Sequence, residues 1–293
     1  MIPTRLWMPT LWLLLTSTAT AAIEVVDDAG ASLSLEQPAQ RIVSLAPSLT
    51  ELLFAAGAGD KLVGVVEYSD FPEAANQLPR VGRHDSLDME RIVSLQPDLI
   101  VAWHTGNPRA SINRLRDLGF AVYSAEPKRL TDIPDHIARL AELAGTEAAA
   151  RLAITEFNTT LSELQATYQN KAPIRTFYQV WNVPLITAGG NELINDIINL
   201  CGGENIFADL QLIAPKVSTE AVLERDPRAI VASGMDIERP EWLDDWISWP
   251  ELQAVRDDNL FFVPPDLLQR HTPRALGGAE MLCRQLDTAR QGQ

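Results

Sequence analysis

The chain is poor in cysteine, in aromatic side chains and in positive charge. Only two of its 293 residues are cysteine, 6% are aromatic, and 24 Lys and Arg stand against 39 Asp and Glu. The resulting formal charge of −15 at pH 7 argues against nucleic acid or an anionic bilayer surface as partner, because both would repel it. It suits docking onto a basic protein surface. Catalytic signatures are missing as well: there is no G-x-S-x-G, H-E-x-x-H, G-x-x-x-x-G-K-[ST] or complete G-x-G-x-x-G. The motif-based routes to hydrolases, zincins, P-loop NTPases and dinucleotide enzymes are therefore closed. The four histidines, His84, His104, His136 and His271, have no local ligand spacing, so no metal site is expected. Cys201 and Cys283 also lack metal-ligand spacing.

What is present begins with an atypical amino terminus. Arg5 precedes an apolar run at residues 11–15, and Ala19-Thr20-Ala21 fits a small-residue cleavage pattern. The run is shorter than the roughly 20 residues a membrane span needs, and no cysteine stands near the cleavage position to carry a lipid. Residues 1–21 are therefore expected to be a removed signal peptide on a soluble exported protein. In an oxidising compartment an even cysteine count favours a Cys201–Cys283 disulfide over two buried free thiols.

The chain also repeats itself. Residues 88–103, DMERIVSLQPDLIVAW, align without a gap on residues 218–233, STEAVLERDPRAIVAS. Glu90 falls on Glu220 and Pro97 on Pro227. Each copy predicts a short helix capped by Asp88 or Ser218 and ended at its proline. A continuously apolar strand follows, of the kind that is covered on both faces in a parallel sheet. Further strands are predicted at residues 41–45, 61–66, 121–123, 176–180 and 260–263. A helix with capping-box spacing from Ser48 to Glu51 is expected to stop at Gly57, and another covers residues 192–200. Alternating strands and helices imply two α/β lobes, each with a central parallel sheet.

Between them, residues 146–171 carry a helical stripe of Leu152, Phe157, Leu161, Leu164 and Tyr168, with Thr146 placed to cap. The expected organisation is a signal peptide at 1–21, an α/β lobe at 22–145, one long rigid helix at 146–171 and a second α/β lobe at 172–293.

Ligands of open α/β sheets bind beyond the carboxyl ends of the strands. Those ends bring up Tyr68, Trp103 and Trp181 as aromatics, with Asp266 and Arg270 as polar anchors. Such a set suits a large, mostly apolar ligand with a polar periphery. His84, His104 and His271 fall near the same cleft, where they are read as solvated side chains or, alternatively, as ligands to a metal or to haem iron. Trp242, Trp246 and Trp249 crowd one short stretch and are read as packing.

The stretches PSLTELLFAAG (47–57), YSDFP (68–72), MERIVSLQPDLIVAW (89–103), Gly106-Asn107, CGGENIF (201–207) and PDLLQRHTPR (265–274) give the chain a family likeness. It resembles the substrate-binding proteins of ABC importers for cobalamin, haem and iron–siderophores, over nearly all of the chain past the leader. Among these it is most similar to members that bind cobalamin, although His84, Ala214 and Leu267 stand where such a member carries tryptophan. The resemblance implies a periplasmic, non-enzymatic receptor, monomeric when free and without a resident cofactor, that delivers a corrinoid to the transmembrane subunits of an importer. It implies corrinoid contacts for Tyr68, Trp103, Asp266 and Arg270, a disulfide between Cys201 and Cys283, and permease docking by Glu90 and Glu220. A haem or siderophore receptor of the same class, or an exported cleft enzyme, are the alternatives.

Overall fold

The computed structural model describes residues 22–234 and 237–292; the expected leader, residues 1–21, lies outside them. After a small hairpin of Ile23–Val26 and Ser32–Leu35, four parallel strands form the first sheet. Their order is Leu62–Val65, Ile42–Ser44, Leu99–Trp103, Val122–Ala125. In the second sheet Ile174–Trp181 pairs with Ala229–Ala232, which pairs with Leu260–Phe262, all parallel. Gly203–Asn205 joins the other edge of Ile174–Trp181 in parallel, whereas Ile186–Thr187 folds back on it antiparallel. The second sheet is thus not purely parallel, because the chain turns at once after Trp181 instead of crossing over.

The internal repeat occupies the same place in both sheets. Helix Met89–Ser94 leads into Leu99–Trp103, and helix Thr219–Arg225 leads into Ala229–Ala232. Each of these strands lies between the first and last long strands of its own lobe. Asp88 accepts from the Arg91 N–H at 2.9 Å and Ser218 from the Ala221 N–H at 3.2 Å, as the two capping positions require. The residues before the prolines, Gln96 and Asp226, take φ of 48° and 37°. They leave the right-handed helical region for the left-handed one, and the helix stops there.

Helix Glu147–Tyr168 connects the lobes; at 22 residues it is roughly 33 Å long at 1.5 Å per residue. It packs against helix Asp132–Ala144 on one side and helices Leu193–Leu200 and Ala275–Gln291 on the other. Its Phe157, Leu161 and Leu164 belong to one buried cluster that continues from Leu52 and Val101 in the first lobe to Val231 and Leu282 in the second. A shared core of this kind makes the helix part of both lobes, which restricts hinge motion more than a bare linker would.

Local details depart from the sequence reading at three places. Leu152 is 66% exposed and Ala150 takes its place in the buried stripe, because spacing of seven, four and three keeps a straighter line down the helix face. Thr146 does not cap the connecting helix; its hydroxyl donates to the Ala56 carbonyl at 2.6 Å, satisfying the carboxyl end of helix Pro47–Ala55. Ser48 does not cap helix Pro47–Ala55 either. Pro47, with its fixed φ, occupies the first turn and moves the start to Ala46, which releases Glu51 for other partners.

A candidate ligand cleft between the lobes

The carboxyl ends of the strands from both sheets enclose two adjoining cavities. One of about 500 Å³ lies between Tyr68, His84 and Trp103 of the first lobe and Asp266, Gln269 and Arg270 of the second. The other, of about 310 Å³, runs past Trp103, Thr105 and Glu126 to an apolar wall of Ala188, Leu193 and Ile194. Trp103, Gln269 and His271 line both. The two spaces form one cleft divided at Trp103, within the usual size range for ligand pockets.

Trp103 sits where it does because of the two residues that follow its turn. Asn107 is buried and works as a clamp: its Oδ1 accepts from the Trp103 N–H at 2.6 Å. Its Nδ2 donates to the Leu45 carbonyl at 2.9 Å and the His84 carbonyl at 2.8 Å. Gly106 lies under the indole, where a Cβ would come within 1.9 Å of the ring. His84 faces the same ring at 5.7 Å between centroids. Tyr68 is held at φ 65° and is 66% exposed. A bulky residue in the left-handed region is uncommon and marks functional sites more often than chance. Buried Ser69 anchors the loop by accepting from the Thr50 hydroxyl.

Asp266 and Arg270 stand together on the cleft wall, but neither is free. Arg270 Nε pairs with Asp266 Oδ1 at 3.0 Å, and its Nη1 reaches Glu51 at 3.0 Å and Asp70 at 2.7 Å in the first lobe. Arg274 adds Nη2–Glu51 Oε1 at 2.6 Å and Nε–Glu51 Oε2 at 2.9 Å, and lies over the Phe71 ring at 4.2 Å. Glu51 is 4% exposed. Burial would raise the Asp70 carboxyl, but the hydrogen bond and charge of Arg270 hold it below its ordinary value. Burial likewise works against the Arg270 charge, and the Asp70 and Glu51 carboxylates more than offset it. Sequence reasoning missed Glu51, Asp70 and Arg274 as members of this cluster.

Trp181 lines neither cavity. It ends strand Ile174–Trp181, donates its Nε1 to the Val183 carbonyl at 3.0 Å and meets Trp242 edge-on at 6.5 Å. Of the three neighbouring tryptophans, Trp246 is buried against Phe177 with its Nε1 on Gln179 at 2.7 Å, Trp242 packs partly buried against the same cluster, and Trp249 is exposed.

The histidines divide. His84 and His271 line the cleft, whereas His104 and His136 belong to a separate charged pocket with Asp28 and Arg139. His271 is partly exposed to the cleft and also ion-paired: its Nε2 donates to Glu192 Oε1 at 2.8 Å. Burial opposes its charge, yet Glu192, the Pro127 carbonyl and the Glu126 charge together raise it above its ordinary value. An imidazolium so engaged is a poor candidate for an iron ligand. Among the described residues no group of three or more His, Cys, Asp or Glu is arranged to hold a metal ion.

Glu90 and Glu220 are exposed in the first turns of their helices, where the helix dipole favours an acid. The Glu220 backbone N–H and the Ser218 side chain hold the Glu220 carboxyl below its ordinary value. Cys201 and Cys283 are joined, tying the end of helix Leu193–Leu200 to helix Ala275–Gln291.

With the cleft defined, comparison with known proteins is informative. The profile of the periplasmic binding protein family matches residues 42–267. The Vitamin B12-binding protein of Vibrio cholerae serotype O1 is 41% identical over 255 residues, covering 87% of this chain and 91% of the relative. That of Yersinia pestis is 38% identical over 250 residues, covering 85% and 87%. The crystal structure of the periplasmic vitamin B12 binding protein BtuF of Vibrio cholerae matches with a TM-score of 0.80 at 40% identity, covering 87% of this chain and 99% of that one. The periplasmic heme binding protein HutB of Vibrio cholerae shares the fold, with a TM-score of 0.73 at 24% identity over 84% of this chain and 98% of that one. The chain belongs to the periplasmic binding protein family.

Proposed function

We propose that this protein captures a corrinoid in the cleft between its lobes and delivers it to the transmembrane subunits of an ABC importer. The observation that carries the reading is a cleft divided by Trp103, aromatic on the side of Tyr68 and His84, apolar toward Leu193 and Ile194, and polar at its rim. A corrin ring is wide and flat with amide arms at its edge. Trp103 and Tyr68 cover its apolar face, while Asp266 accepts from amide NH₂ groups and Arg270 donates to amide oxygens. Because Arg270 is already held by three carboxylates, it needs little ordering on binding, which favours affinity. Identity of 41% to a Vitamin B12-binding protein over most of the chain supports the same ligand class. The role is binding rather than catalysis, and cobalamin is cargo rather than cofactor.

In this reading residues 1–21 export the chain to the periplasm, and the free protein is a monomer that docks through Glu90 and Glu220. The test is calorimetry and absorption spectroscopy with cyanocobalamin, haem and a ferric siderophore. Tight binding of cyanocobalamin supports the proposal; haem binding with no response to cyanocobalamin refutes it.

A further inference from the structure

One acidic side chain in the cleft has an oxygen without a partner. Glu126 follows strand Val122–Ala125 and is 7% exposed. Its backbone N–H donates to Asp28 at 2.5 Å, and its Oε1 accepts from the Thr105 hydroxyl. Its Oε2 is shut off from solvent and, among the described residues, has no hydrogen-bond partner. The side chain forms part of the wall of the inner cavity, beside Thr105 and across from the Leu193–Ile194 face. It also separates that cavity from the charged pocket of Asp28 and His136.

A buried carboxylate oxygen left without a donor is costly, more so than a neutral acceptor. The charges nearby supply no hydrogen bond to it. His271 feels the Glu126 charge but is bonded to Glu192 and the Pro127 carbonyl, and no hydrogen bond joins the exposed Lys128 to Oε2. The last torsion of a glutamate is soft and moves both oxygens together, so the carboxyl reorients toward a donor arriving in the cavity and the Thr105 hydroxyl, itself a rotor, follows it. The wall formed by Ala188, Leu193 and Ile194 is apolar, and a polar contact made beside such a surface gains from the low local dielectric.

We infer that Glu126 is a specificity-determining residue, accepting a hydrogen bond from a peripheral amide NH₂ of the bound corrinoid. This assignment rests on the corrinoid reading above. It gives the inner cavity an acceptor of its own, beside those that Asp266 supplies in the outer part. A primary amide satisfies Oε2, whereas an arm ending in a carboxylate brings two acceptors of like charge together and is rejected.

The experiment is calorimetry of the protein with cyanocobalamin and with each derivative in which one peripheral amide is hydrolysed to the acid. Wild type is expected to bind cyanocobalamin and to lose at least tenfold in affinity for one mono-acid, the factor one charge-assisted hydrogen bond carries. Glu126→Gln keeps the Thr105 contact but presents a donor; it is expected to bind cyanocobalamin about tenfold more weakly and to recover that one mono-acid. Glu126→Ala is expected to treat both alike. A wild-type profile in Glu126→Gln, or the same profile produced by Lys128→Met, overturns the assignment. So does uniform weakening for every corrinoid together with a lowered melting temperature, which would make Glu126 structural. If wild type binds no corrinoid, the functional reading itself falls, an outcome distinct from cyanocobalamin binding without arm selectivity.

Discussion

Two single residues in the cleft have effects that follow from geometry alone. Gly106 leaves room for the indole of Trp103, and a methyl there would stand 1.9 Å from the ring. Gly106→Ala is therefore expected to displace Trp103 and weaken cyanocobalamin binding about as much as Trp103→Ala, roughly 1–3 kcal/mol, the range for losing a buried aromatic anchor. Titration calorimetry on the two variants checks this; normal affinity in Gly106→Ala would show that the indole position is not critical. His271 gives a dependence on pH. Its value is raised in the folded protein despite burial, by Glu192, the Pro127 carbonyl and Glu126. A raised value means that the ion pair contributes its full stability below the ordinary histidine range and loses it as pH rises through the folded value. Between pH 6 and 9 the melting temperature of wild type should fall more than that of His271→Gln, by differential scanning calorimetry. Equal slopes would mean that the imidazole is neutral throughout.

At the level of elements, the repeat strands and their capped helices were legible because the information is local. A continuous apolar run and a capping residue next to a proline need no distant partner to be interpreted. Glu51 was misread for the same reason: Ser48 to Glu51 has the spacing of a capping box, but its true partners, Arg270 and Arg274, lie 219 and 223 residues away. The cleft was half legible, since strand ends can be found by pattern, whereas the turn that takes Trp181 to Trp242 instead of the cleft cannot. Glu51 joins helix Pro47–Ala55 to the segment after Pro265–Leu268, and its removal leaves Arg274, among the described residues, with the Phe71 ring and a distant carboxylate, Asp266 at 4.0 Å. Glu51→Ala should cost on the order of 3 kcal/mol of stability, because it strands buried cationic charge; a loss below 1 kcal/mol in urea unfolding would mean that water takes over the site. The Cys201–Cys283 bond closes 82 residues, for which chain entropy gives about 4 kcal/mol. Replacing both cysteines with serine should lower unfolding stability by about 2–4 kcal/mol, also by urea titration. An unchanged midpoint would place the stability of the second lobe in its packing alone.

For the whole molecule, the repeat gains its meaning from having two copies on one rigid frame. Helices Met89–Ser94 and Thr219–Arg225 each lead back into a central strand and place Glu90 and Glu220 at equivalent positions of the two lobes. Helix Glu147–Tyr168 and the shared core that runs through it hold those positions at a set separation. Two weak contacts on a rigid spacer behave as one strong contact, since the second forms at high effective concentration once the first is made. Each acid is exposed, so in the proposed docking its own ion pair with a basic partner surface would be worth little in isolation and would be screened by salt. Glu90→Ala or Glu220→Ala alone should therefore reduce stimulation of importer ATPase in proteoliposomes severalfold. The double substitution should abolish it, with cyanocobalamin affinity unchanged in all three proteins. Reversal to lysine at both positions should be worse still, because like charges then face the basic surface. Stimulation by the double alanine variant equal to wild type would assign the two glutamates to helix stabilisation alone, and the symmetry of the repeat to folding rather than to docking.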